Sequence, residues 1–586
     1  MTNKNANQRN KSDLQVALKE MKHIFIMLGI YSFFLNILML AAPFYMLVVY
    51  DIVMPSKNLN TLLLVTLITI MFFIGMWILD YVRSKLTIYA SNKLDLLLNE
   101  RIFNATFALA SKFPDKANTQ PLQDFKSIKT FLSGQGIFAF FDFPWFPIYI
   151  AIMFAFSPVY GIYGLVATAI ILVLTWLNEK MTKEGLEESN KSYAHAMNFF
   201  GNNIRNVEVV QAMGMRENLH RLWMEKYNSY LMTNNKASTT GSFYSNASKS
   251  FRMLSSSMMY GVGAILVIGG SISPGMIIAG AVLMGRALQP VSQIIGGWKQ
   301  FSGARIAYHK LNSLLQDFPK EEKKLSLPEP EGKITFDQVV TIPPLGKIPV
   351  LKGINLQINT GETIGVIGPS AAGKSSFVKT AVGVWEPSNG HIRIDGADIH
   401  QYNRIELGKH IGYLPQDIEL FGGTVAQNIS RFEEDPSDED IIEAAKLSGT
   451  HELILNLPDG YSTRVGVGGM ALSGGQKQRI GLARALYGNP KIVVLDEPNS
   501  NLDDAGEYAL TMALRVMKEK GITVIFVTHK QNILSLADKL LVLNDGKTVY
   551  YDEREKVMNA LYKNSTQVIN DKTQENKDKE IKNEDS

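Results

Sequence analysis

Four long stretches of this chain carry almost no charge, and no other feature restricts its fold as much. The first runs from Lys22 to Asp51, interrupted only by the titratable His23, and the second from Lys57 to Asp80. The third runs from Asp142 to Glu179 and the fourth from Arg252 to Arg286. A bilayer-crossing helix needs about 20 mostly apolar residues, because hydrocarbon offers the backbone no other hydrogen-bond partner. The first two stretches are one span each. Ser157-Pro158 divides the third, and the Gly/Ser/Pro-rich run 269–275 divides the fourth; both breaks suit a tight hairpin between helices. The expectation is six spans, at about 23–50, 58–82, 136–156, 159–178, 252–270 and 274–298.

Composition fits a chain of two unlike halves. It has 586 residues, 46% hydrophobic and 19% charged, with a mean hydropathy of +0.01. That length suggests two or three domains, and the average is the sum of an apolar half and a polar half. The net charge of +4, from 59 basic and 55 acidic residues, argues against a dedicated nucleic-acid binder. There is no cysteine, which removes disulfides, thiolate metal sites and cysteine nucleophiles. Basic residues cluster in the segment before the first span and in loops 81–135 and 179–252, whereas the three opposite loops share only Lys57. The positive-inside rule therefore places both termini and both long loops in the cytoplasm. The first apolar run is too long for a cleaved signal.

Segments 83–130 and 179–250 read as helical continuations into the cytoplasm. A charged, proline-dotted stretch near 320–332 reads as a linker, and a polar α/β pattern follows. The expected organisation is a cytoplasmic segment 1–22, a membrane domain 23–315, a linker 316–332, an α/β domain 333–563 and a disordered charged tail 564–586.

The α/β half carries the chemistry. A short apolar strand, 364–368, leads into Gly368-Pro369-Ser370-Ala371-Ala372-Gly373-Lys374-Ser375 and then, from Ser376, a helical segment. This is the phosphate-loop pattern in its strand–loop–helix setting. Its backbone N–H groups can surround phosphates, Lys374 adds a positive charge, and the Ser375 hydroxyl can ligate Mg²⁺. A second strand, Lys491–Leu495, ends in Asp496 and Glu497, where parallel sheets bind ligands. Asp496 suits Mg²⁺, directly or through water. Glu497 is the candidate general base, or positioner, for an attacking water. Between them lies Leu472-Ser473-Gly474-Gly475-Gln476, a turn before a helix that can offer N–H groups and a hydroxyl to an anion.

With that string in place, about twenty residues before the second strand, the half resembles the nucleotide-binding domain of the ABC ATPases. The resemblance implies that two such domains clamp two ATP molecules head to tail, Ser473 and Gly475 of one subunit capping the phosphate loop of the other. It also implies a Q-loop glutamine at Gln416 that senses Mg²⁺, a D-loop at Ser500–Asp503, and a switch histidine at His529 contacting the γ-phosphate. One chain holds one such set, so a clamp requires a homodimer. Two departures stand out. Ile342 and Pro343 occupy the place of the usual adenine-stacking aromatic, and Val467 that of a glutamate common before the signature in exporters.

Six spans followed by one ATPase domain resemble an ABC exporter half-transporter. In that family the inner loops end in coupling helices, here expected around Gln120–Lys129 and Asn206–Met215. Ala42–Ser56, Asp124–Gly134, Phe141–Ile150, Asn206–Met215, Arg286–Phe301, Ile418–Ile429 and Leu495–Asp503 are similar to the type I secretion ATPases of the protease-exporting (PrtD-like) group. The extra N-terminal domain of hemolysin-type exporters is not expected, with only some twenty residues before the first span. This resemblance implies a homodimer in the inner membrane of a Gram-negative cell, joined to a periplasmic adaptor and an outer-membrane channel. It would use ATP and Mg²⁺ to pass an unfolded polypeptide with a C-terminal secretion signal, and it would bind lipid but no nucleic acid. The alternative is an exporter of lipid, glycolipid or drug-like molecules. Candidates for the substrate path are Asp142 with Trp145, beside two helix-kinking prolines, and Arg286 in the last span. The competing readings are a helix-cap aspartate with an interfacial or core tryptophan, and an arginine that snorkels to the inner face.

Overall fold

A computed structural model describes residues 12–114, 118–204, 206–320, 324 and 326–562. The expected tail lies outside them, as does half of the segment 1–22 before the first span. Contacts divide the chain into two units, 1–110 with 116–320 and 111–115 with 321–586.

The first unit is all helical. It comprises α1 (Asp13–Glu20), α2 (Lys22–Leu38), α3 (Ala41–Val48), α4 (Leu59–Lys112), α5 (Gln120–Ser133), α6 (Gly136–Asp142), α7 (Phe146–Phe156), α8 (Pro158–Ile204), α9 (Val207–Ala212), α10 (Arg216–Ile268) and α11 (Pro274–Asp317). Six helical stretches are long and apolar enough to cross a membrane: 22–56, 59–112, 136–156, 158–204, 216–268 and 274–317. The breaks fall where the sequence places them. Pro158 opens α8 at a position where its missing N–H costs nothing, and Gly270 (φ 67°) turns the chain between α10 and α11. The prolines near Asp142 produce a 3₁₀ turn, Phe143–Trp145, between α6 and α7.

The spans differ in burial. None of the apolar window of α4 is buried within the chain, against 56% of that of α11, so α11 is the packing centre of the unit. The described part of the segment before the first span packs into this unit. Leu14, Ala17 and Met21 of α1 and its flank are buried against Leu94 and Leu98 of α4 and Leu311 and Leu315 of α11. Arg101 Nε donates to Asp13 Oδ2 at 2.5 Å. The stretch Gln120–Lys129, expected as a coupling helix, forms most of α5, whose Phe125, Ile128 and Leu132 are buried in this same core.

The second unit is α/β. A six-stranded sheet runs β12-β11-β3-β10-β9-β6: Lys547–Glu553, Lys539–Asn544, Thr363–Ile367, Thr523–Val527, Ile492–Asp496 and Ile411–Leu414. All its pairs are parallel except the edge pair of β11 and β12. Strands β3, β9 and β10 are apolar and almost wholly buried, as parallel strands covered on both faces must be. An antiparallel sheet, β2-β1-β4-β5 (Leu351–Ile358, Ile334–Thr341, Asn389–Ile394, Ala397–Asp398), shares one core with β3 and α12 (Lys374–Ala381). Phe336 and Phe377 stack there with ring centroids 4.8 Å apart. The opposite core gathers α13 (Val425–Ile429), α14 (Asp438–Leu447), α15 (Gly474–Leu486) and α16 (Asp504–Glu519). A two-residue ladder, β7 (Gly423–Thr424) with β8 (Arg464–Val465), closes the smaller lobe.

Candidate functional site

Strands β3, β10 and β9 are adjacent and parallel, so Gly368, Thr528 and Asp496 emerge along one edge of the sheet. This is where open parallel sheets bind ligands. Gly368–Gly373 loops from β3 into the N-terminus of α12. Gly368 passes so close to β11 that a Cβ would stand 2.2 Å from Leu543 O. Gly373 (φ 99°) and Ala371 (φ 63°) turn the chain through left-handed conformations, the second strained for a residue with a side chain. Lys374 is 8% exposed, and its ammonium folds back over the loop to Gly368 O at 2.8 Å and Pro369 O at 3.0 Å. Pro369, Ser370, Ala372, Ser375 and Ser376 complete the loop and the first turn of α12, whose dipole favours an anion there.

Asp496 ends β9 and is 1% exposed. Burial raises its carboxyl above the usual carboxylate range; the Ser375 hydroxyl bonded to it and the ammonium groups of Lys379 and Lys374 pull it back, and Glu497 adds to the rise. Its Oδ1 is buried with no hydrogen-bond partner among the described residues. A buried carboxylate oxygen without a donor, beside a serine hydroxyl at a phosphate loop, fits an oxygen-ligand set for Mg²⁺.

Glu497 follows at φ 50°, turning its side chain off the strand axis. Its Oε2 accepts from Gln416 Nε2 at 3.1 Å, and its Oε1 lies 4.0 Å from His529 Nε2. The structure thus brings Gln416, Glu497 and His529 from three strand ends into one cluster. Thr528, just before His529, donates to Asn499 Oδ1 at 2.8 Å, tying the histidine's strand to the turn after Glu497.

The signature residues stand elsewhere. Leu472 is buried, and Ser473 caps α15 in a reciprocal capping box with Gln476. Gly474 and Gly475 meet Asn501 in this chain; a Cβ on Gly475 would be 2.7 Å from Asn501 O. Asp503 caps α16, with Oδ1 accepting from Gly506 N at 2.9 Å, and also pairs with Arg479. Those bonds, the Gly506 amide first, hold its carboxyl below the usual range. Gln478 escaped the sequence reading. It is 1% exposed; its Nε2 donates to Glu497 O at 3.1 Å and its Oε1 accepts from Asn501 N at 3.0 Å. The available signal was a glutamine on the same buried face of α15 as Leu482 and Ala485.

After β1, Ile342 is 37% exposed and Pro343 half-buried, so the segment offers an aliphatic face where an aromatic was looked for. Val467 is exposed. In the membrane unit Trp145 is buried against Phe33 and Tyr149, ring centroids 5.1 and 6.3 Å away, a core position within this chain. Asp142 is also buried, with Arg83 Nη1 3.0 Å from Oδ1. It and Arg286 nonetheless border one cavity.

A phosphate loop, an acid-ended strand two places along the same sheet and a capped glycine signature, in one chain with six membrane-length helices, define an ATP-driven membrane transporter. Residues 25–291 match the family of the ABC transporter transmembrane region, and residues 351–500 match ABC transporter. The chain belongs to the ABC transporter family, binds ATP and couples its hydrolysis to transport as a multi-pass membrane protein. It is 40% identical over 548 residues to the type I secretion system ATP-binding protein PrsD of Rhizobium meliloti (strain 1021), covering 93% of this chain and 94% of that protein. It is 29% identical to the toxin RTX-I translocation ATP-binding protein of Actinobacillus pleuropneumoniae, over 93% of this chain and 78% of the relative. The alpha-hemolysin translocation ATP-binding protein HlyB of Escherichia coli is 28% identical, over 92% of this chain and 77% of its own. The fold is that of a bacterial Atm1-family ABC exporter solved with ATP bound, with a TM-score of 0.75, 22% identity, and coverage of 92% of this chain and 96% of that one.

Proposed function

We propose that this chain is the ABC component of a type I secretion system, using ATP hydrolysis to export an unfolded polypeptide with a C-terminal secretion signal. The observation that carries the reading is its correspondence, through membrane helices and ATPase alike, with the secretion protein PrsD over 93% of its length. The ATPase half alone would serve any exporter of the family.

In this reading two chains form a homodimer in the inner membrane, with both termini in the cytoplasm, joined to a periplasmic adaptor and an outer-membrane channel. Gly368–Ser376 and Lys374 hold the phosphates of ATP, and Ser473 and Gly475 of the second subunit cap them. Ser375, Gln416 and Asp496 hold Mg²⁺, which when bound supplies neutralisation of phosphate charge. Glu497 orients and deprotonates the attacking water. Gln416, 3.1 Å away, and Gln478, through the backbone, fix its direction. His529 reaches the γ-phosphate from the other side of Glu497, and Asp503 shapes the D-loop at the subunit boundary. The exposed helix α9, with Val207 and Val209 on its surface, is the better coupling candidate.

The test measures ATP hydrolysis by the full chain in nanodiscs, with and without synthetic C-terminal secretion peptides, alongside an adaptor pull-down from native membranes. A peptide-dependent change in rate and recovery of an adaptor are expected. Stimulation by lipids or drugs, with no adaptor recovered, would sink the reading in favour of a small-molecule exporter.

A further inference from the structure

In the membrane unit Arg83 pairs with two carboxylates, and Arg286 stands on the same cavity with no ion pair of its own among the described residues. Arg83 on α4 is 6% exposed. Its Nη1 donates to Asp142 Oδ1 at 3.0 Å and Oδ2 at 3.2 Å, and its Nη2 donates to Asp80 Oδ1 at 2.9 Å. Asn36 Nδ2 donates to Asp142 Oδ1 at 2.9 Å, and the Tyr149 hydroxyl in turn donates to Asn36 Oδ1 at 2.9 Å. Both carboxylates are therefore committed to Arg83.

A cavity of about 380 Å³ opens beside this cluster. Arg286, Gln289 and Gln293 of α11 and Gln135 border it as well. The half-buried guanidinium of Arg286 has only weak contacts among the described residues, Met39 Sδ at 3.9 Å and Gln289 Oε1 at 3.5 Å. Neither neutralises it. An ionised group within a spanning helix is costly unless it faces a cavity or finds a counter-charge. Here it borders the cavity without a direct ion pair, since Asp80 and Asp142 on the same cavity are bonded to Arg83, while amides one and two turns along the same helix can serve an extended backbone.

We infer that Arg286, with Gln289 and Gln293, is a receptor for a carboxylate of the exported polypeptide, an acidic side chain or the chain terminus, inside this cavity. The inference rests on the polypeptide-export reading. Passage then involves a transient ion pair at Arg286, while the Arg83–Asp142 pair stays closed as a wall.

The test uses the full chain in nanodiscs and three labelled, unstructured synthetic peptides, followed by fluorescence anisotropy. One carries four aspartates and an amidated C-terminus. The second replaces them with asparagine, and the third is the asparagine peptide with a free C-terminal carboxylate. The aspartate peptide is expected to bind wild type about tenfold tighter than its amidated asparagine counterpart, the size of one charge-assisted hydrogen-bonded pair. If the terminus is the recognised group, the third peptide gains the preference instead. Arg286→Gln should bring the ratio close to one. Gln289→Glu is near-isosteric and puts a fixed carboxylate at the guanidinium, so it should abolish the preference in the same way; it carries the test if Arg286→Gln fails to fold. Equal binding of all three peptides to wild type, or a preference that survives either folded variant, overturns the assignment alone. A dimer lost in Arg286→Gln with the preference intact in Gln289→Glu assigns the guanidinium to the partner subunit and also overturns it. Failure of wild type to bind any peptide counts against polypeptide export itself.

Discussion

Glu497 depends on residues that never touch nucleotide. A non-glycine residue at φ 50° is strained and must be held by its neighbours. Its N–H donates to Val527 O at 3.1 Å, and its carbonyl takes the Gln478 amide at 3.1 Å. Gln478→Ala removes the partner of that carbonyl and of the Asn501 N–H, both in a partly exposed place, at a cost of about 1 kcal/mol. We expect kcat to fall about tenfold while KM for ATP changes less than about twofold, because the phosphate loop is untouched. Steady-state hydrolysis over a range of ATP concentrations checks this, and a rise in KM with kcat unchanged would refute it. Glu497→Gln should lower hydrolysis at least about 100-fold, the usual worth of a positioned base, and leave ATP retained by the protein. Filter-bound labelled nucleotide and phosphate release measure both. Lys374, Glu497 and His529 were legible in the sequence because short strings tie them to strand ends. Gln478 was not, because it acts through a backbone brought near only by the fold. Asp142 stood out in the sequence as an acid at the edge of a span, on a substrate path or capping a helix, but its pairing with Arg83, 59 positions away, is set by the fold.

The helices of the membrane unit meet through small residues. Tyr160 of α8 is fully buried between Gly263 of α10 and Gly280 of α11, where added Cβ atoms would stand 2.2 Å from its hydroxyl and 2.5 Å from its ring. Without a hydrophobic force between helices in lipid, such close approach is the main source of association. Gly280→Leu should cost about 1–3 kcal/mol through overpacking and lower the Tm by roughly 2–8 °C. The Tyr160 hydroxyl has no hydrogen-bond partner among the described residues. Tyr160→Phe should therefore be neutral or stabilising by up to about 1 kcal/mol. Thermal unfolding of the solubilised chain tests both, and a large loss in Tyr160→Phe would show that the hydroxyl is satisfied by water or a partner. Span number was readable because hydrocarbon excludes charge. Helix ends were not: α4 continues from Leu59 to Lys112 with no proline or glycine to stop it in the water-exposed half. Helix α1 is only 8 residues long, too short for a periodic signal, and is held by tertiary contacts with Leu94 and Leu311.

At the scale of the whole molecule, the proposed homodimer has each chain supply half of each ATP site. Gly474 and Gly475 meet Asn501 here, and Ser473 and Gln476 bond to each other in the capping box. The head-to-tail clamp makes a sharp prediction about mixed dimers. In Lys374→Ala homodimers both phosphate loops are damaged, and in Gly475→Asp homodimers both signatures are. An aspartate at 475 would drive its Cβ to 2.7 Å from Asn501 O and set a negative charge against the phosphates. Both homodimers should lose at least about 90% of nucleotide trapping, since each removes a charge-assisted contact in every site. A heterodimer, purified through a different tag on each chain, concentrates both lesions in one composite site. The other site then has an intact phosphate loop from one subunit and an intact signature from its partner. Vanadate should trap close to one nucleotide per heterodimer, against two for wild type and almost none for either homodimer. If each subunit instead completed its own site, both sites in the heterodimer would carry one lesion and trapping would stay near zero. Recovery of one trapped nucleotide is thus an outcome that only exchange of signatures between subunits can produce.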